Sequence, residues 1–325
     1  MSRVHDALRR AEQTGVTPPA APPAGATVVE TAPVAATPAP AAEGSVNAAR
    51  HPAAITARAA HVTALAGGLP IVGPDFLSRL ATVPFSPSPD SHLIDTSKPH
   101  EAPAEEFRTL RTRLNHLQTL QPIHTVVVTS PSPAEGKSFA AVNLALAEAQ
   151  LEGNPTLLID CDFRRPIVHN LFQVERTPGV TDYLSGKARL EDCIKHIAGS
   201  NLYILPAGEA VINPLELLNL REMRVLLEQL PKAFNWVILD SPPLLFAADA
   251  NLLSTLSSGT VLVVRIGTTT IDSVTRAMQS LCENNVLGII VNGARRGELY
   301  SKYTYYHSYY YAKPEEAVPV EETKA

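Results

Sequence analysis

From about Ser91 onward the apolar residues of this chain gather in short, nearly continuous runs. Between them lie stretches whose apolar positions recur every three or four residues. Six runs rich in β-branched residues, 124–130, 156–162, 201–208, 236–241, 259–266 and 286–292, predict strands buried on both faces. Most are separated by segments long enough for crossover helices, such as 137–152, closed by Gly153 and Asn154, and 213–230, closed by Pro231. Strands alternating with helices predict an α/β fold with a doubly wound, mainly parallel sheet. Ligands of such sheets sit beyond the carboxyl ends of the strands, so strand-end residues are the ones to search for chemistry.

The first 90 residues follow another pattern. Of the 28 prolines, 14 fall within the first 100 residues, beside Ala-rich runs at 18–26 and 31–42. Such a composition buries little area against the entropy of ordering and lacks backbone donors for a helix, so residues 14–90 are expected to be a disordered linker. Residues 1–13, MSRVHDALRRAEQ, differ: Val4, Leu8 and Ala11 recur at helical spacing and Ser2 can cap, predicting a short amphipathic helix. It reads equally well as a frayed terminus or a docking peptide. A folded domain is then expected over 91–296, followed by a flexible tail over 297–325.

Composition narrows the function classes. With 325 residues, 45% of them hydrophobic, the chain can bury a full core. A net charge of -5 argues against a dedicated nucleic-acid binder. Cys161, Cys193 and Cys282 are widely spaced and form no CxxC, which disfavours a disulfide framework or a zinc site and fits a reducing cytoplasm. No stretch of the first 100 residues is long and apolar enough to predict a membrane span, and residues 1–13 are too polar for a signal peptide.

Three strand ends carry chemistry. The segment 130–138, SPSPAEGKS, follows the first predicted strand and opens directly into an apolar helix. That is the setting of a phosphate loop: backbone N–H groups at a helix N-terminus bind anions, Lys137 can reach the outer phosphates and Ser138 can ligate Mg²⁺. The first glycine usual in such a loop is Pro131 here. LLIDCDFRRP places Asp160 and Asp162 at the end of the second strand, on one side of it if the strand persists. Such a pair can hold Mg²⁺ and orient or deprotonate an attacking hydroxyl. WVILDSPP ends a third buried strand with Asp240, placed to reach Mg²⁺ through water. Any one acidic strand end is as well explained by a cap or turn; three phosphate-type features on three strand ends are not. Seven of the nine tyrosines, Tyr300, Tyr303, Tyr305, Tyr306, Tyr309, Tyr310 and Tyr311, cluster beyond the last strand. Alone they could be a sticky aromatic tail; beside a phosphate site they read better as phosphate acceptors.

EGKS, DCDFRRP and DSPP resemble the Walker A, A′ and B boxes of the bacterial tyrosine kinases (BY-kinases) of capsular and exopolysaccharide synthesis. Glu105, Arg108 and Arg111 match the E-x-x-R-x-x-R helix through which that family forms rings, and PGVTDYLSG, LPAG followed by NPLELL, and GIIVNG are also similar. The likeness runs from about Ala104 to the tail; residues 1–13 also look like the opening of some members. The resemblance implies an ATP-dependent protein-tyrosine autokinase that regulates polysaccharide synthesis and chain length, with phosphorylation of the tail in trans. It implies Lys137, Asp160 and Asp162 as catalytic residues and Glu135, Gly136, Lys137, Ser138, Phe139 and Asn292 as nucleotide contacts, Asn292 toward adenine. Ser138, Asp160 and Asp240 become the Mg²⁺ site, and Arg164 and Arg165 are read as salt-bridge residues within the fold. It further implies a homo-oligomeric ring when unphosphorylated, and a cytoplasmic protein recruited to the membrane by a chain-length-determining activator. Ala134 departs from the family's usual glycine; if that position needs positive φ, alanine costs roughly 1 kcal/mol more. Two other readings compete. One is a switch ATPase of the MinD/ParA type, although residues 131–134 lack its signature lysine. The other is a non-catalytic nucleotide-binding adaptor, which only Ala134 supports.

Overall fold

The computed structural model describes residues 72–73, 75–85, 87, 93–94, 103–281 and 286–294. The helix expected over residues 1–13 and the tyrosine cluster lie outside the described residues. Among the described residues there are eight strands: β1 (Ala81–Val83), β2 (Thr125–Thr129), β3 (Thr156–Asp160), β4 (Lys195–Ile197), β5 (Leu202–Leu205), β6 (Trp236–Asp240), β7 (Gly259–Arg265) and β8 (Val286–Asn292). They form one sheet in the order β1-β4-β5-β3-β6-β2-β7-β8. All neighbours are parallel except β4 and β5. Among the described residues the helices are α1 (Ala104–Leu120), α2 (Lys137–Ala149), α3 (Val168–Phe172), α4 (Val180–Leu184), α5 (Leu190–Cys193), α6 (Pro214–Leu218), α7 (Arg221–Gln229), α8 (Ala248–Leu256) and α9 (Ile271–Ser280).

Every residue of β2, β3 and β6 is buried, as expected of central strands covered on both faces. Side chains alternate between two cores. Val126, Val128, Leu158 and Ile238 join the core under α1 and α2, while Val127, Leu157, Ile159, Val237 and Leu239 join the core under α4, α5 and α7. Because β2, β3 and β6 are parallel, Thr129, Asp160 and Asp240 all finish on one sheet edge, and Asp160 is the direct register partner of Asp240.

Two expectations are corrected, and two short strands were not foreseen. The folded domain does not begin at residue 91: Phe76 is fully buried against Phe234, and Ala81–Val83 forms the edge strand β1 within the span read as linker. Three residues, none of them fully buried, leave no periodicity to detect. The strand β4 is equally short and was also missed. Segment 213–230 is not one helix, because the chain turns extended at Leu220 between α6 and α7. A continuous helix would put Arg221 and Glu222 where Leu218 points; the break restores phase so that Met223, Leu226, Leu227 and Leu230 are buried.

The segments PGVTDYLSG and LPAG form a structural seam. A Cβ on Gly179 would lie 2.3 Å from the Pro206 carbonyl oxygen, and one on Gly208 2.4 Å from Thr181 Oγ1. Asp182 accepts the Gly179 N–H at 2.8 Å and the Glu209 N–H at 3.3 Å, locking the two segments together.

Candidate functional site

The loop between β2 and α2 is shaped by its own sequence and by two neighbours. Gly136 caps α2 at φ 95°, and a Cβ there would sit 2.0 Å from Asn292 Nδ2. Asn292, the last residue of β8, instead donates to the Glu135 carbonyl oxygen at 2.9 Å. Glu135 is buried; its Oε2 accepts the Ser132 N–H at 2.8 Å and its Oε1 accepts from Thr269 Oγ1. Arg265 Nη1 donates to the Ala134 carbonyl at 3.1 Å. Ala134 does adopt the left-handed conformation, at φ 63°.

Lys137, the first residue of α2, reaches across the sheet edge to Asp162 Oδ2 at 2.8 Å and donates to Ser138 Oγ at 3.3 Å. Burial alone would lower its pKa, but the combined field of Asp240, Asp162 and Asp160 outweighs that and raises it, so the ammonium is firmly charged. The strand β3 does not persist to Asp162. It ends at Asp160, the Cys161 N–H bonds the Asp240 carbonyl at 2.8 Å, and a turn delivers Asp162 to Lys137.

The two aspartates have different partners. Asp160 Oδ1 accepts the Asp162 N–H at 3.2 Å, and its Oδ2 accepts the N–H groups of Ile167 and Val168, both at 3.1 Å, at the start of α3. Its pKa is pushed up by burial and by facing Asp240, against the pull of those backbone donors. Asp162 Oδ1 accepts the Arg165 N–H at 3.0 Å, leaving Oδ2 to Lys137.

Asp240 is fully buried and neither of its carboxylate oxygens has a hydrogen-bond donor. Burial raises its pKa, Lys137 opposes that, and the Ser138 hydroxyl lies close enough to favour the ionised form without meeting hydrogen-bond geometry. Buried carboxylates are almost always satisfied, so two bare oxygens at the mouth of a phosphate loop fit a partner that arrives with the ligand. Among the described residues no three His, Cys, Asp or Glu side chains form a metal cage. A Mg²⁺ held with nucleotide needs none, because water and phosphate oxygens supply most of its ligands. Ser138 and Asp240 are the residues that would hold it; Asp160, also expected there, has both oxygens accepting backbone N–H groups.

Other expected site residues fall elsewhere. Phe139 packs edge-on against Phe107 of α1 at 6.0 Å, and its ring stays partly accessible. Arg164 pairs with Asp249 at 2.8 Å, the salt bridge expected within the fold. Glu105, Arg108 and Arg111 lie on α1, away from the loop. Glu105 meets Arg108 at 3.4 Å, and Arg111 Nη1 donates to the Ala147 carbonyl in the last turn of α2 at 2.8 Å. Sequence reasoning missed Arg265 and Thr269, because only the pairing of β7 with β2 brings the end of β7 and the turn after it to the loop.

A parallel sheet with a lysine-bearing loop at the N-terminus of a helix, and carboxylates on the next two strand ends, defines a P-loop nucleotide-binding protein. No protein-family model matches the chain. It is 36% identical over 217 residues to "Tyrosine-protein kinase YwqD" of Bacillus subtilis, covering 66% of this chain and 91% of that one. It is 31% identical to "Tyrosine-protein kinase wzc" of Salmonella typhimurium, where the match covers 68% of this chain but 31% of that longer protein. Among solved structures, the kinase domain of Escherichia coli tyrosine kinase ETK superposes with TM-score 0.60 at 31% identity, covering 69% of this chain and 94% of that one. The chimerical protein CapA2B2 gives TM-score 0.60 at 29% identity. The chain belongs to the bacterial tyrosine-protein kinases.

Proposed function

We propose that the chain transfers the γ-phosphoryl group of ATP to tyrosines of its own C-terminal cluster, in trans within a ring of subunits. The observation that carries this reading is Lys137 held among three carboxylates, one of them donorless, at the edge where the chain leaves β8. Asn292 touches the phosphate loop itself, so the tail departs beside the site, and Tyr300 follows eight residues later. At roughly 3.3 to 3.6 Å per residue that link extends to about 26 to 29 Å. We assign the acceptor role for these tyrosines to a neighbouring subunit's site.

In this mechanism the phosphate loop binds the nucleotide through its N–H groups, and Lys137 shifts from Asp162 to the γ-phosphoryl oxygens, where charge develops in the transition state. That shift frees Asp162 to take the proton of the incoming tyrosine hydroxyl. The tyrosine oxygen then forms the new bond to phosphorus as the bond to the ADP oxygen breaks. Asp160, tied by three backbone N–H groups, fixes the turn that aims Asp162. Ser138 and Asp240 would hold Mg²⁺, which would supply charge neutralisation for the transferred group. Each phosphotyrosine adds about -1.5 to -2 charges, so accumulating phosphate drives subunits apart.

The family resemblance supports regulation of exopolysaccharide or capsule synthesis, with recruitment from the cytoplasm by a membrane activator protein. No helix among the described residues is long and apolar enough to cross a membrane. Radiolabelled ATP with purified protein tests the reaction. Phosphotyrosine on the tail is expected; free phosphate alone would support a switch ATPase, and neither product an adaptor. Mixing a Lys137→Met subunit that keeps its tail with an active subunit lacking residues 297–325 tests transfer in trans. Label on the Lys137→Met tail is expected; its absence, with self-labelling independent of concentration, would place transfer in cis.

A further inference from the structure

Ala134 holds a left-handed backbone, φ 63°, a conformation that an L-residue resists and glycine does not. The turn after β7 grips it from outside. Arg265 Nη1 donates to the Ala134 carbonyl at 3.1 Å, and Thr269 of the same turn donates to the Glu135 carboxylate. The turn is closed on itself: the Arg265 N–H donates to Thr269 Oγ1 at 2.8 Å, and the Arg265 carbonyl accepts the Thr269 N–H at 3.0 Å. One short segment thus presents a cation and a hydroxyl to adjacent residues of the phosphate loop. Room for the arginine comes from Gly293, where a Cβ would lie 3.2 Å from Arg265 Cγ.

We propose that Arg265 is a positioning residue for the phosphate loop: its guanidinium fixes Ala134 in the left-handed conformation that a glycine would reach by its own freedom. Thr269 locks Glu135 in the same register, so the loop's N–H groups are aimed before nucleotide arrives. The inference rests on the loop binding ATP phosphates. A guanidinium has five N–H donors, so the rival role is a direct bond from Arg265 to phosphate. The two roles differ in their coupling to Ala134, because only the brace becomes redundant when residue 134 no longer resists the conformation.

The test is a double-mutant cycle on the full chain, reading affinity for a non-hydrolysable Mg-ATP analogue by calorimetry. Arg265→Ala is expected to weaken binding about fivefold to tenfold in the wild-type background and by no more than about twofold in the Ala134→Gly background. Arg265→Lys, which keeps a cation but not the fork, should recover part of the loss, and the effect should fall on KM for ATP more than on kcat. Equal losses in both backgrounds would overturn the proposal in favour of a direct phosphate contact. A second readout needs no nucleotide: amide exchange at Ser132, Ala134 and Glu135 should accelerate in Arg265→Ala and less so when Ala134→Gly is added. Unchanged exchange at these amides in Arg265→Ala also overturns it. If the wild type binds no nucleotide, the reading of the loop as an ATP site fails, while the exchange experiment still decides the role of Arg265.

Discussion

At the N-terminal end of α2, Lys137 lies among Asp160, Asp162 and Asp240; at the C-terminal end, Glu148 lies among Asn115, Asn154 and Arg111. Both clusters bury ionisable groups in one helix of the same core, yet their chemistry is opposite. At the lower end, Glu148 Oε2 accepts from Asn115 Nδ2 at 3.0 Å and Asn154 Nδ2 at 3.3 Å, and Trp236 Nε1 donates to Asn115 Oδ1 at 3.0 Å. Burial pushes the Glu148 carboxyl up to about 7 despite those amides and Arg111, and its bare Oε1 suits a neutral acid. At the upper end backbone N–H groups take up Asp160 and one oxygen of Asp162, Lys137 is a fixed ammonium, and both Asp240 oxygens lack a hydrogen-bond partner. A buried carboxyl surrounded by amides is part of the scaffold, whereas one left donorless beside a cation and a phosphate loop is poised for a ligand.

The largest break in that contrast is Lys137→Met. Loss of the cation that meets developing phosphoryl charge should reduce tail phosphorylation at least about a hundredfold, as removal of comparable electrostatic stabilisers does. Circular dichroism should remain native, since both cores lie elsewhere. Undiminished phosphotyrosine would refute the assignment.

Asp240→Asn sharpens it further. Nucleotide with Mg²⁺ at a hundredfold excess over Kd should stabilise the wild type by about 2.7 kcal/mol, and each tenfold loss of affinity removes about 1.4 kcal/mol of that. Melting scans should show the Mg-nucleotide gain at least halved in Asp240→Asn, while without nucleotide the variant melts near the wild type because repulsion among the carboxylates is relieved. A full Mg-nucleotide gain would move the metal away from Asp240.

Much of this upper end was legible beforehand, for a physical reason. A phosphate loop needs a glycine, a lysine and a hydroxyl in consecutive positions after an apolar strand, and such strands are long unbroken runs, as in TVVVT and WVILD. The contacts that brace the loop were not legible. Arg265 and Asn292 meet Ala134 and Glu135 across 131 and 157 residues, and sequence spacing carries no trace of that approach. Strands β1 and β4 escaped for want of length, and the division of duty between Asp160 and Asp162 depends on a turn that ends β3 at Asp160, two residues before the expected end. The lower cluster was invisible because Glu148 reads as an ordinary exposed helix position until the structure buries it.

Glu148 gives the pH signature of that lower end. Its folded pKa, about 7, lies above the ordinary carboxylate range, so between about pH 4.5 and 7 the unfolded chain ionises while the folded protein holds its proton. The native state binds more protons in that window, so this group's contribution to stability falls as pH rises through it. At about 1.4 kcal/mol per pKa unit the fall is on the order of 3 kcal/mol. Glu148→Gln should flatten this part of the urea-stability profile and leave phosphorylation at saturating ATP within about twofold. An unaltered profile would mean that another group titrates there.

The smallest effect separates two duties of Arg111. Family likeness places it in a ring interface, but its guanidinium donates to the Ala147 carbonyl, where a cation also meets the negative end of the α2 dipole. Arg111→Ala should therefore lower unfolding free energy by about 1 kcal/mol even in protein dilute enough to be monomeric. Glu105→Ala is the control, because Glu105 is exposed and its 3.4 Å contact to Arg108 is a surface pair worth little. It should leave monomer stability unchanged while any loss of assembly appears in sedimentation. If Arg111→Ala alters assembly and leaves the dilute monomer as stable as wild type, the bond to Ala147 contributes nothing and Arg111 serves the ring alone. If it lowers both, one side chain ties the assembly helix to the helix that begins at Lys137, and subunit contact has a mechanical route to the phosphate loop.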